Sequence, residues 1–190
     1  MILREHAPHF ERLRGMGAFR SPMLMLGRQE CHIGGSAGGF FAVESYTELD
    51  PDGGDLRLDL AGDLSAHHGQ FATVFNLGTI EHLWDAHAAW SSALRLVAVG
   101  GVLVSHSPVG GWENHGAHVT DERFIRAFLT LNGFRIDAHW LSLKDGSPVN
   151  AVQRGGGNVI LWLVATKQRE VETMARPQQI FRGGVPVEIG

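Results

Sequence analysis

Residues 71–116 read FATVFNLGTIEHLWDAHAAWSSALRLVAVGGVLVSHSPVGGWENHG, and this stretch decides the fold class. Phe71 to Asn76 is a largely apolar run, the pattern of a strand covered on both faces. After a polar turn, Ala86, Ala89, Trp90, Ala93, Leu94 and Val97 mark one face of a helix spanning Asp85 to about Ala98. Asp85 is suited to cap its start and Gly100-Gly101 to stop it, and Val102 to Val104 restarts an extended run. Strand, helix and strand in this rhythm predict an α/β fold built on a mostly parallel sheet.

Working outward, Pro22 precedes a short apolar strand, Met23 to Leu26, closed by Gly27. Further strands are expected at Gly39 to Glu44 and Asp55 to Leu60. Thr120 is a suitable N-cap for a helix with Phe124, Ile125, Phe128 and Leu129 on one side, ended by Asn132-Gly133. Phe134 to Leu141 alternates like a strand with one wetter face, and Asn158 to Ala165 is almost wholly apolar. The polar stretch 142–157 between them reads as a long loop. A leading helix from about Leu3 to Leu13 would cover an edge or a pocket. The chain therefore reads as one domain, with a cover over 1–21, a core over 22–165 and an extended tail over 166–190.

The bulk numbers narrow the function. At 190 residues with 44% hydrophobic and 19% charged side chains, the composition is that of a soluble globular domain. A net charge of -4 gives no basic surplus for neutralising phosphates, so the expected partner is a small molecule rather than a nucleic acid. A single cysteine, Cys31, excludes an internal disulfide, and no run has the length of a membrane span or a signal-peptide core. The expected setting is the cytoplasm.

The block FNLGTIEHLWD, the Gly-Gly that follows and the ENHG beyond it together resemble the class I S-adenosylmethionine-dependent methyltransferases. The resemblance spans about Pro22 to Ala165 and implies a Rossmann-like sheet ending in an antiparallel hairpin, with S-adenosylmethionine as cofactor. The chain departs from the family in two places. The G-x-G-x-G loop after the first strand falls on Gly27, Arg28, Gln29, Glu30 and Cys31, where only Gly27 remains. The first crossover also looks short, so its helix is expected to be reduced and a sheet face left for a second subunit, as in a homodimer.

By the same resemblance, Gly27, Arg28 and Gln29 fall at the methionine end of the cofactor, with the Gln29 amide in place of lost backbone donors. Glu44, or Glu48 in its stead, falls at the ribose, Asp59 and Leu60 at the adenine, and Asn76, Leu77 and Gly78 at the end of the fourth family strand.

Histidine carries the candidate chemistry. His82, His106 and His115, with Glu113, are expected above the carboxyl ends of the strands, where a neutral imidazole can take a proton from an attacking oxygen or nitrogen. Trp112 is a candidate wall for a flat substrate, and His6, His9, His32, His67, His68, His87 and His139 read as surface or structural. Glu113, His115 and His118 are close in sequence, but their spacing lies in a glycine-containing loop, so no metal is expected. The leading expectation is an O- or N-methyltransferase acting on a small molecule with a pocket histidine as general base. The alternative is a methyltransferase-fold protein that has left methyl transfer, as an acid-base cyclase or isomerase or as a partner subunit.

Overall fold

The computed structural model describes residues 1–149, 157–182 and 185–189. Its main sheet has six strands: β1 (Met23–Leu26), β2 (Tyr46–Leu49), β3 (Phe71–Leu77), β4 (Val97–Gly110), β5 (Phe134–Leu143) and β6 (Val159–Lys167). They lie in the order β2-β1-β3-β4-β6-β5. The first three pairings are parallel and the β4-β6 and β6-β5 pairings antiparallel. This is the expected α/β sheet with a C-terminal hairpin.

The period-2 alternation of strands splits the core between the two faces. In β1, Leu24 and Leu26 pack on one side and Met23 and Met25 on the other. In β6, Leu161, Leu163 and Ala165 alternate with Ile160, Trp162 and Val164. The first face is covered by α3 (Ala86–Leu96) through Trp90 and Leu94, and by α4 (Glu122–Leu131) through Ile125 and Phe128. The second is covered by α1 (Ala7–Gly15) through Phe10 and Leu13, and by α2 (Ala37–Phe41) through Phe41.

Beyond a one-residue shift of the α4 N-cap from Thr120 to Asp121, four details differ from the sequence reading. The stretch expected as a strand at Gly39 to Glu44 instead contains most of the single-turn helix α2. Ser36 Oγ caps it by accepting from Gly39 N at 3.1 Å, and Phe41 is buried among Phe10, Phe19 and Phe75. The crossover helix is reduced as expected, but β2 begins only at Tyr46.

Asp55 to Leu60 forms no strand. Asp55 Oδ2 takes the Glu48 N–H on the outer edge of β2, so only an isolated bridge, Leu49 to Leu56, forms there. Third, α3 ends at Leu96 before the glycines, and Gly100-Gly101 lie inside β4 near an irregularity in its pairing with β3. A Cβ on Gly101 would stand 2.8 Å from Ala98 O, so the position requires glycine.

Fourth, the extended tail contains a separate antiparallel hairpin, β7 (Gln178–Arg182) with β8 (Val185–Ile189). Residues 150–156 of the expected loop lie outside the described residues. Among the described residues no helix is long and apolar enough to cross a membrane.

Candidate active site at the carboxyl edge of the sheet

A cavity of about 930 Å³ opens where β1, β2, β3 and β4 end. Its floor is formed by the loops after these strands and its cover by Met1, Leu3, Glu5 and His6 of the N-terminal segment. That is where open α/β sheets bind ligands.

The loop after β1 begins with Gly27 at φ +74°, and a Cβ there would meet Thr79 Oγ1 at 2.6 Å. This loop is held by acidic side chains. Arg28 N donates to Asp50 Oδ2 at 3.0 Å and Gln29 N to Glu48 Oε1 at 3.2 Å. The Gln29 amide is also engaged, its Nε2 donating to Leu26 O at 3.5 Å and its Oε1 accepting from the Met1 amine. Backbone bonds from Arg28 and Asp52 hold the Asp50 carboxyl below its ordinary pKa.

The loop after β3 is shaped by Asn76. This side chain is buried, donates to Ser105 and Ser107, and accepts from Thr79 N and Ile80 N at 3.1 and 3.2 Å. It braces the loop from beneath instead of lining the cavity. Gly78, at φ +73°, lies between two functional groups. A Cβ on it would stand 3.2 Å from Glu81 Oε1 and 4.0 Å from His106 Nδ1. Glu81, in the 3-10 turn Ile80–His82, is 5% exposed, and burial pushes its carboxyl up to about 7.

His106 lies on β4 with its ring 4.6 Å from Trp162 and 5.1 Å from His6. Burial holds its pKa well below 6.5, the nearby His6 adding to the effect. His6 joins Lys144 O through Nε2 at 2.9 Å, which makes Nε2 the donor and leaves Nδ1 bare. Beside it, Trp140 Nε1 donates to His9 Nδ1 at 3.0 Å.

Six buried polar side-chain atoms lack a hydrogen-bond partner among the described residues. Four of them belong to His6, Glu81 and His106, all lining this cavity. Native proteins satisfy nearly all such atoms, so their concentration here points to a polar ligand.

Of the residues singled out from sequence, Gly27, Arg28, Gln29, Asp59, Leu60, Leu77, Gly78, His82, His106 and His115 line the cavity. Glu44 does not, because it sits exposed in the link between α2 and β2, and the acidic residue that follows β2 is Asp50. Glu113 is exposed outside the cavity. Glu81, His6 and Asp50 were not singled out. The adjacent Glu81-His82 before α3 is a local signal that could have marked Glu81, whereas no local signal marks His6, which arrives through the fold of the N-terminal segment.

The sheet order, the terminal hairpin and the cavity at the strand ends define the class I methyltransferase fold. No protein-family model and no curated protein sequence matches the chain. Solved structures do match it. A SAM-dependent methyltransferase from Archaeoglobus fulgidus has TM-score 0.58 at 14% identity, over 85% of this chain and 94% of that one. Burkholderia thailandensis 1,6-didemethyltoxoflavin-N1-methyltransferase, solved with 1,6-didemethyltoxoflavin and S-adenosylhomocysteine, has TM-score 0.59 at 11% identity, over 87% and 79%. A variant of the 16S rRNA (adenine(1408)-N(1))-methyltransferase from Catenulisporales acidiphilia has TM-score 0.52 at 13% identity, over 90% and 96%. At these identities the likeness is one of fold.

Proposed function

We propose that the protein is an S-adenosylmethionine-dependent methyltransferase acting on an oxygen or nitrogen of a small molecule. The observation that carries this reading is the convergence of unpartnered buried atoms of His6, Glu81 and His106 in a cavity at the carboxyl edge of a methyltransferase-type sheet. The volume of that cavity, about 930 Å³, suits a nucleoside cofactor with a small acceptor.

The residues present fit the cofactor. Gly78 keeps side-chain bulk out of the lining beside Glu81 and His106, whose orphaned buried atoms call for a polar ligand. When bound, S-adenosylmethionine supplies an electrophilic methyl group on sulfur. Gly27, Arg28, Gln29, Leu77 and Gly78 would hold its methionine end, Asp50 its ribose hydroxyls, and Asp59 and Leu60 its adenine. Asp50 retains acceptor capacity for hydroxyls after taking two backbone N–H groups. His106 is the favoured general base: its low pKa keeps it neutral near pH 7 and its nitrogens have no other partner among the described residues. Enclosure excludes water and sets donor and acceptor side by side, the main source of rate in such a transfer.

The test is transfer of radiolabelled methyl groups from S-adenosylmethionine to a panel of phenols, sugars and heterocyclic amines. Labelled product should form with at least one class and fall at least about a hundredfold in His106→Ala, within the range attributed to a general base. A His106→Ala variant as active as the parent would remove His106 from the mechanism.

A further inference from the structure

We propose that Glu81, His82 and His115 form a binding site for a divalent first-row transition-metal ion at the mouth of the cavity. Each offers one ligand atom, and the three atoms lie within 4.8 Å of one another. Around a common ion, bonded at about 2.1 Å, such atoms would stand roughly 3 to 3.5 Å apart. The remaining closure falls to His82 and His115, which are exposed and whose ring nitrogens make no hydrogen bond among the described residues.

The arrangement is a built one. Glu81 is 5% exposed and its Oε2 has no hydrogen-bond partner, so the carboxyl that shares the cluster with the two imidazoles carries an unsatisfied buried oxygen. The Met1 amine, a positive charge acting on Glu81, donates its hydrogen bond to Gln29 instead. A cation at the site would satisfy the orphaned oxygen and offset its burial.

The loop that brings His115 is docked on Glu81 itself. His118 N donates to Glu81 O at 3.0 Å, and a Cβ on Gly116 would stand 2.7 Å from that oxygen. Trp112 anchors the loop's start through Nε1 to Val159 O at 2.9 Å, with its ring 4.6 Å from His115. His118 Nε2 contacts Trp84 O at 3.0 Å and fixes the far end. The three donors therefore come from two segments held in register by backbone contacts.

Two imidazoles and a carboxylate suit zinc, cobalt, iron or manganese in their divalent states and leave coordination positions open. Those positions border the cavity. On the methyltransferase reading, which this further step rests on, an acceptor hydroxyl would bind there and become acidic enough for a weak base such as His106 to suffice.

The test uses the full chain, freed of metal by chelator and titrated with cobalt(II) and zinc(II) by calorimetry and visible absorption. One ion should bind per chain, and affinity should fall about tenfold or more in each of Glu81→Gln, His82→Ala and His115→Ala, at least the loss typical of a disturbed metal site. His68→Ala, exposed and away from the cavity, should bind as the parent does. Absence of binding would overturn the proposal. So would loss in the histidine variants with Glu81→Gln unchanged, the mark of surface chelation by two imidazoles. If Glu81→Gln fails to fold, Glu81→Asp, which withdraws the carboxylate by one methylene, takes its place, and unchanged affinity in it overturns the proposal in the same way. Because no cofactor is present, failure here leaves methyl transfer itself untouched.

Discussion

Thr79 donates its hydroxyl to the Leu26 carbonyl at 2.6 Å, tying the loop after β3 to the end of β1. The bond closes over Gly27, whose missing side chain is what permits it. Gly27→Ala would place a Cβ at φ +74° and 2.6 Å from Thr79 Oγ1. We predict a stability loss of about 1–2 kcal/mol from the left-handed backbone alone, read by urea unfolding, together with weaker S-adenosylhomocysteine binding. Unchanged stability and affinity would show that the tie does not shape the site.

The buried ionisable groups give opposing pH dependences. Glu81 is raised from 4.5 to about 7, so the folded state binds the extra proton, and this contribution is present below 4.5 and lost as pH rises through about 7. His106 is lowered from 6.5, so the unfolded state binds the extra proton and stability is lost on acidification below 6.5. Glu81→Gln should therefore steepen the rise of stability with pH between about 5 and 7, and His106→Phe should flatten it. Melting temperatures across that range check both slopes, and parallel curves for all three proteins would contradict the assignment.

Trp112→Phe keeps a ring beside His115 but loses the Nε1 bond to Val159 O. Removal of one such bond costs about 1 kcal/mol. Amide exchange at His115 and His118, bonded to Trp112 O and Glu81 O, should quicken several-fold. Unchanged protection would mean that the loop is held without the indole.

Lys167 stands at the C-terminus of α3, 1% exposed, donating to Leu94 O at 3.1 Å and Val97 O at 2.7 Å and pairing with Glu170 at 2.9 Å. It supplies donors and a positive charge to carbonyls that the helix end leaves open. Lys167→Met should destabilise the fold by about 2 kcal/mol, with the loss visible in denaturant unfolding. A neutral effect would mean those carbonyls find other donors.

Much of this molecule was legible in its sequence because the central strands are apolar on both faces. β1, β3 and β6 announce themselves as short unbroken runs, and α3 and α4 as amphipathic stripes. The first crossover was not legible. Phe40, Phe41, Ala42 and Val43 look like a strand, but the Ser36 cap and an aromatic cluster drawn from α1 and β3 make a helix there. β2, an edge strand with three half-buried residues, gives almost no apolar signal. That displacement moved the acidic position from Glu44 to Asp50. The same limit hid His6 and the burial of Glu81, since both depend on segments distant in sequence folding over the cavity.

On the function proposed above, this cavity binds the nucleoside cofactor despite a loop whose first two N–H groups are held by Asp50 and Glu48. Calorimetric titration of the folded protein with S-adenosylhomocysteine tests it directly. One ligand should bind per chain, and binding should be abolished by Gly78→Val, which would drive a side chain toward Glu81 and His106. The absence of heat at millimolar ligand, with the protein folded by circular dichroism, would contradict it and leave the acid-base or partner-subunit reading of this fold.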